Sequence, residues 1–244
     1  MNLVFCNCAY ADAVPADVKA RVRTALTESG RPFVAVPDLC ALAARKDPQL
    51  ARWAETPGLQ IVACHPRAVR WLFHAVGAPL PATGAECLNM RETAAAAIVQ
   101  RILGAAAVVP LAPAVVSTGP VSVAWPPWFP VIDYERCTDC LQCLSFCPFG
   151  VYELAAGKVT VIHPEQCKNN CPACARICPE TAIIFPKFPT GPVSGAPVPA
   201  ATVFPALSAG TDESLDTLLA KRRARAAAFR RARAATPPAE NSPT

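Results

Sequence analysis

The chain has 244 residues, 52% of them apolar, with 13 cysteines and 27 prolines. That is enough to build one large core or two small ones. The odd cysteine count, and an N-terminus from Met1 to Cys6 with neither a basic stretch nor a long apolar run, argue against a secreted disulfide scaffold. They favour thiolate ligands in a reducing cytoplasm. The net charge of +5 is local: residues 221–233 hold seven basic side chains and no acid, and without them the chain is slightly acidic. General nucleic-acid binding is therefore the weaker inference.

Residues 1–106 alternate short apolar runs with helical patterns. Leu3–Phe5 reads as a buried strand, Ala16–Glu28 as a helix ending at Gly30, and Phe33–Val36 as a second strand. A short helix follows at Asp47–Ala54, a third strand at Leu59–Ala63, a helix after Pro66 at 67–76, and an alanine-rich helix at Arg91–Leu103. This alternation predicts an α/β domain with a parallel sheet. Residues 107–130, rich in proline and valine, read as an extended connector. It closes on Trp125 and Trp128, which are expected to anchor it. The apolar run Ala94–Val116 is broken by Gln100, Arg101, Pro110 and Pro113, so no membrane span is expected.

Residues 131–188 are dense in cysteine. Cys137, Cys140, Cys143 and Cys147, followed by Pro148, have the spacing C-x2-C-x2-C-x3-C-P. Cys167, Cys171, Cys174 and Cys178, followed by Pro179, repeat it with one extra residue between the first two. Three closely spaced thiolates in a tight loop can each reach a different iron of one [4Fe–4S] cluster, while the cysteine before proline serves the other cluster. The expected assignment is therefore crossed. Cluster I takes Cys137, Cys140, Cys143 and Cys178, and cluster II takes Cys167, Cys171, Cys174 and Cys147. Two zinc sites of four thiolates are the plain alternative, although zinc ligand pairs seldom come as three plus one with a trailing proline. Val131–Asp133 and Ala182–Phe185 read as a strand pair, and Val151–Leu154 with Lys158–Ile162 as a hairpin between the motifs. The module is expected to be α+β.

This pattern resembles the bacterial two-cluster ferredoxin family over about 58 residues. The departure is the Lys168-Asn169-Asn170 loop, where asparagine tolerates the left-handed turn that an added residue needs. Lys168 and Arg176 near cluster II, against Asp139 near cluster I, lead us to expect the higher potential at cluster II.

Five cysteines lie outside these motifs: Cys6, Cys8, Cys40, Cys64 and Cys87. Cys6 and Cys8 end the first strand, Cys64 ends the third, and Cys40 follows the second. The carboxyl ends of parallel strands converge on one edge, where ligands bind. Val4-Phe5-Cys6-Asn7-Cys8, Asp38-Leu39-Cys40, Ile61-Val62-Ala63-Cys64-His65-Pro66-Arg67 and Leu88-Asn89-Met90-Arg91-Glu92 resemble the N-terminal domain of the A-type flavoproteins of the heterodisulfide reductase family. That resemblance implies that some of the five bind a third [4Fe–4S] cluster; ordinary buried thiols are the alternative. No G-x-G-x-x-G run is present, so neither FAD nor NAD is expected in this chain.

The remaining residues, 189–244, read as a Pro/Ala linker, a basic helix at about 212–234 with Leu215, Leu218, Leu219 and Phe229 as its apolar strip, and a disordered tail. His65 and His163 read as ordinary structural or surface histidines. The sequence points first to an electron-transfer component of a cytoplasmic redox complex, without a catalytic residue of its own. Its expected partner is a flavoprotein, hydrogenase or dehydrogenase subunit. The rival readings are a catalytic iron–sulfur reductase using the N-terminal cysteines, and an iron–sulfur redox sensor whose basic helix contacts nucleic acid.

Overall fold

A computed structural model describes residues 2–104, 116–117, 126–199 and the single positions 217, 220 and 224. Most of the connector, Trp125, the basic helix and the tail lie outside the described residues. Of the helix, Thr217, Ala220 and Ala224 are described, and they are helical and exposed.

The N-terminal region is a parallel α/β sheet. Its strands are β1 (Leu3–Cys6), β2 (Val34–Val36), β3 (Leu59–Ala63), β4 (Ala85–Asn89) and β5 (Val116–Ser117), in the spatial order β4-β3-β1-β2-β5. Every pairing is parallel. Central β1 is buried at all four residues, as a strand covered on both faces must be. The chain leaves β1 toward β2 on one side and β3 on the other. That reversal opens a crevice at the carboxyl end of β1, between it and β3.

Helices α1 (Ala16–Glu28), α2 (Leu39–Ala44), α3 (Gln49–Ala54), α4 (Pro66–Ala75) and α5 (Ala95–Leu103) complete this layer. Asp38 caps α2 by accepting from Ala41 N at 3.0 Å. Pro66 starts α4, where the missing N–H costs nothing, and Ala68, Val69, Trp71, Leu72 and Phe73 bury one side of that helix. The expected helix at Arg91–Leu103 starts four residues later. β4 and α2 had no counterpart in the sequence reading.

The cysteine-rich module pairs β6 (Val131–Ile132) with β9 (Ile183–Ile184), antiparallel. Between them lie α6 (Gln142–Phe146), the hairpin of β7 (Tyr152–Ala155) and β8 (Lys158–Val161), and α7 (Ala173–Ile177). β6 packs against α4, so the module lies directly on the N-terminal sheet layer. Trp128 is buried and stacks on Phe185 with ring centroids 5.3 Å apart. The segment after β9 is no free linker: it turns back onto the N-terminal region. Arg91 donates to the carbonyls of Pro186, Phe188 and Pro189, and Arg67 donates to that of Pro192. A Cβ on Gly195 would stand 2.6 Å from Ala68 Cβ, so only glycine fits against α4 there. Among the described residues no helix is long and apolar enough to cross a membrane.

Candidate metal centres

The eight motif cysteines form two groups. Cys137, Cys140, Cys143 and Cys178 line one cavity. Cys147, Cys167, Cys171 and Cys174 line a second. Each motif's last cysteine thus stands in the other motif's cavity. The cause is local. Cys147 and Cys178 end α6 and α7 in extended conformation, with ψ of 114° and 112°. The prolines that follow disfavour the helical state for the residue before them. The backbone therefore leaves the helix there and turns the last thiol away from its own loop.

The loops bend through left-handed residues. Asp139 (φ 51°) precedes Cys140, and Asn170 (φ 57°) precedes Cys171 at the equivalent point. The extra residue of the second loop is taken up upstream, around Lys168. Leu141 is also left-handed (φ 62°), whereas its counterpart Pro172 has φ −97°. The ring of proline forbids the left-handed form, so the two loops differ on both sides of their second cysteine.

Hydrogen bonds reach the sulfurs of Cys174 and Cys178 from outside the loops. Tyr152 Oη donates to Cys174 Sγ at 3.1 Å, and Ala182 N donates to Cys178 Sγ at 3.3 Å. Asp139 Oδ1 accepts from Val159 N at 3.0 Å and lies 3.7 Å from Cys137 Sγ. Burial first, then neighbouring thiols, raises Cys143, Cys167 and Cys174, the last to about 12; burial raises Cys137 to about 11. Metal must therefore displace protons to bind. Each set of four thiols lines one cavity, as the ligands of a polynuclear cluster must.

A third gathering of thiols lies at the carboxyl edge of the N-terminal sheet. Cys6 ends β1, Cys8 follows with φ 47°, Cys64 follows β3, and Cys40 sits in the first turn of α2. All four are buried. Cys6 and Cys8 Sγ are 3.5 Å apart, and Leu39 N donates to Cys6 Sγ at 3.3 Å. The contact with Cys8 and burial raise Cys6. Burial, then Cys6, raises Cys64 to about 12, and burial raises Cys40. Cys87 is not part of this nest. It sits in the middle of β4, opposite Ile61, and not at a strand end.

Charged and titratable side chains surround the nest. The Lys187 ammonium pairs with Asp38, and both are almost fully buried. Arg91 is half-buried, with Cys64 and Cys8 within its electrostatic reach. His65 is buried behind Cys64, 3.3 Å from Asn89 Nδ2, and burial followed by Arg91 lowers its pKa. His163 is exposed and pairs with Glu165. Tyr152 and Lys187 escaped the sequence reading. A tyrosine in a hairpin and a lysine close to two prolines carry no spacing signal.

Residues 129–179 match the family model of the 4Fe-4S dicluster domain. A ferredoxin of Methanothermococcus thermolithotrophicus is 37% identical over 54 residues, 21% of this chain and 88% of that protein. The chain belongs to the ferredoxin family. An uncharacterized ferredoxin of Methanocaldococcus jannaschii is 55% identical over 60 residues, 24% of this chain, and the match covers 41% of its length. Pyruvate synthase subunit PorD of Thermotoga maritima is 33% identical over 60 residues, 25% of this chain, with 60% of its length covered. The ferredoxin module is thus a 4Fe-4S dicluster domain, a carrier of electrons, fused to a parallel-sheet α/β region.

Proposed function

We propose that this chain is an electron-relay component of a cytoplasmic redox complex, similar in role to the A-type proteins of the heterodisulfide reductase family. In this reading residues 1–106, 107–130, 131–188 and 189–244 are the α/β domain, connector, ferredoxin module and C-terminal extension. Cluster I is held by Cys137, Cys140, Cys143 and Cys178, and cluster II by Cys147, Cys167, Cys171 and Cys174. The observation that carries the reading is the exchange of each motif's fourth cysteine between the two cavities. A [4Fe–4S] cluster supplies a one-electron couple whose potential follows net charge, hydrogen bonds to sulfur and solvent exposure. The protein's part is to hold the thiolates, exclude water and place N–H and O–H donors at sulfur.

Cys6, Cys8, Cys40 and Cys64 hold a third cluster in this proposal. Four buried thiols, an N–H donor at Cys6 and two cations beside them fit such an anionic group. Kinship to PorD, a subunit of a pyruvate synthase, supports a place beside a larger oxidoreductase. The partner class is a flavoprotein, hydrogenase or dehydrogenase subunit. Anaerobic purification with iron quantification tests the reading. About twelve irons per chain are expected for three clusters, whereas about eight would remove the third.

A further inference from the structure

The thiol nest and the seam between the two parts of the molecule share their residues. Lys187 lies three residues beyond β9, on the segment that leaves the ferredoxin module. Its side chain is 7% exposed and reaches across to Asp38, which is 1% exposed and caps the helix that carries Cys40. The ammonium has three N–H donors; Asp38 takes one, and Cys40 and Cys8 lie within its electrostatic reach. Arg91 follows β4, and its guanidinium donates to carbonyl oxygens, those of Pro186, Phe188 and Pro189. No carboxylate accepts from it in these bonds, and Cys64, Cys8 and Glu92 lie within its electrostatic reach.

A cluster with four thiolate ligands is a net anion and becomes more negative on reduction. Buried charge of that kind is tolerated only with a compensating charge nearby. Asp38 adds one more negative charge at the same place. Cations at the nest would offset this charge, and Lys187 and Arg91 are within electrostatic reach of its thiols.

We infer that Lys187 and Arg91 are the counter-charges of the N-terminal nest, so that docking of the segment after β9 sets the reduction potential of a cluster held by Cys6, Cys8, Cys40 and Cys64. The inference rests on the three-cluster reading above. Arg91 grips the segment that bears Lys187, so one set of contacts both fastens the two parts together and brings the charge. Undocking would withdraw Lys187 and leave Asp38 unopposed beside the thiolates. The nest would then become harder to reduce.

The test uses the full chain, purified anaerobically, in wild-type, Lys187→Met and Lys187→Arg forms. Iron is counted first, and each EPR signal is then followed in a redox titration. Lys187→Met is expected to shift the one-electron equilibrium of the third signal about tenfold toward the oxidised state, about 59 mV downward. The two ferredoxin-module signals should stay in place, and Lys187→Arg should keep the wild-type value. Loss of the third cluster in Lys187→Met but not in Lys187→Arg equally supports a charge requirement. An unmoved third potential in Lys187→Met overturns the inference, as does loss of the cluster in both variants, which would mark a packing role. About eight irons in the wild type would overturn the three-cluster reading itself, and the inference with it.

Discussion

Tyr152 is fully buried, and its hydroxyl donates to Cys174 Sγ at 3.1 Å. Burial raises its pKa well above the ordinary tyrosine value, so it remains a donor at any working pH. A hydrogen bond to a ligand sulfur stabilises the more negative, reduced state. The opposite influence acts in the other cavity, where the Asp139 carboxylate lies 3.7 Å from Cys137 Sγ. The cavity of Cys178 has its own donor, Ala182 N, so it is the Asp139 carboxylate that is expected to make the cluster II cavity the easier one to reduce. Tyr152→Phe keeps the ring and removes only the donor. It should lower the potential of that cluster by about 40 mV, equivalent to about 1 kcal/mol for one electron, with cluster I unmoved. Redox titration by EPR measures this, and a shift at the other cluster would contradict the placement. The cysteine spacing and the prolines behind Cys147 and Cys178 were legible because they act through the local chain. Tyr152 and Lys187 were not, because their partners are distant in sequence and come together only through packing.

At the level of elements, the hairpin β7–β8 shows where local chemistry is not optimal. Ala155 pairs with Lys158, so the turn is the two residues Ala156 and Gly157. Both have positive φ, 49° and 78°. A two-residue turn of this hand suits asparagine followed by glycine, whereas alanine in the left-handed region is strained. Ala156→Asn should stabilise the module by about 0.5–1 kcal/mol, and Ala156→Val should destabilise it. Denaturant unfolding of the metal-loaded chain reads both, and a lower midpoint for Ala156→Asn would refute the argument. α1 and β3 stand at the bounds the sequence predicts, because thirteen helical residues and a buried apolar run are strong signals. β4 is not legible in the sequence: its five residues are all half-buried at the outer side of β3 and show no alternation. α2 is not legible either, because six residues give too short a period and its one signal is the capping Asp38. The late start of α5 follows from the turn at Met90–Thr93, where Asn89 Oδ1 accepts from Arg91 N.

The whole molecule depends on a seam that composition concealed. The segment from residue 189 has the proline and glycine content of a linker, yet its first part is held by side chains of the N-terminal region. Arg67 is central to this seam. Its Nε donates to Asp133 Oδ2 at 2.6 Å, its Nη2 to Thr181 O at 2.7 Å and its Nη1 to Pro192 O at 3.0 Å. One guanidinium thus joins α4 to the residue after β6, the residues before β9 and the returning segment. Asp133 is almost fully buried, and its other carboxylate oxygen accepts from Glu135 N. Arg67→Ala would strand that carboxylate and two carbonyl oxygens. Removing one partner of such a pair costs about 3 kcal/mol or more. The loss should appear as faster hydrogen exchange in residues 181–195, by about a hundredfold, with β1 and β3 unchanged. The ammonium of Arg67→Lys cannot reproduce the planar fork and should recover only part of the protection. Equal protection of residues 181–195 in wild type and Arg67→Ala would show that the seam is held elsewhere. In that case the docking that carries Lys187 to the thiol nest would have to depend on Arg91 and the Asp38 pair alone.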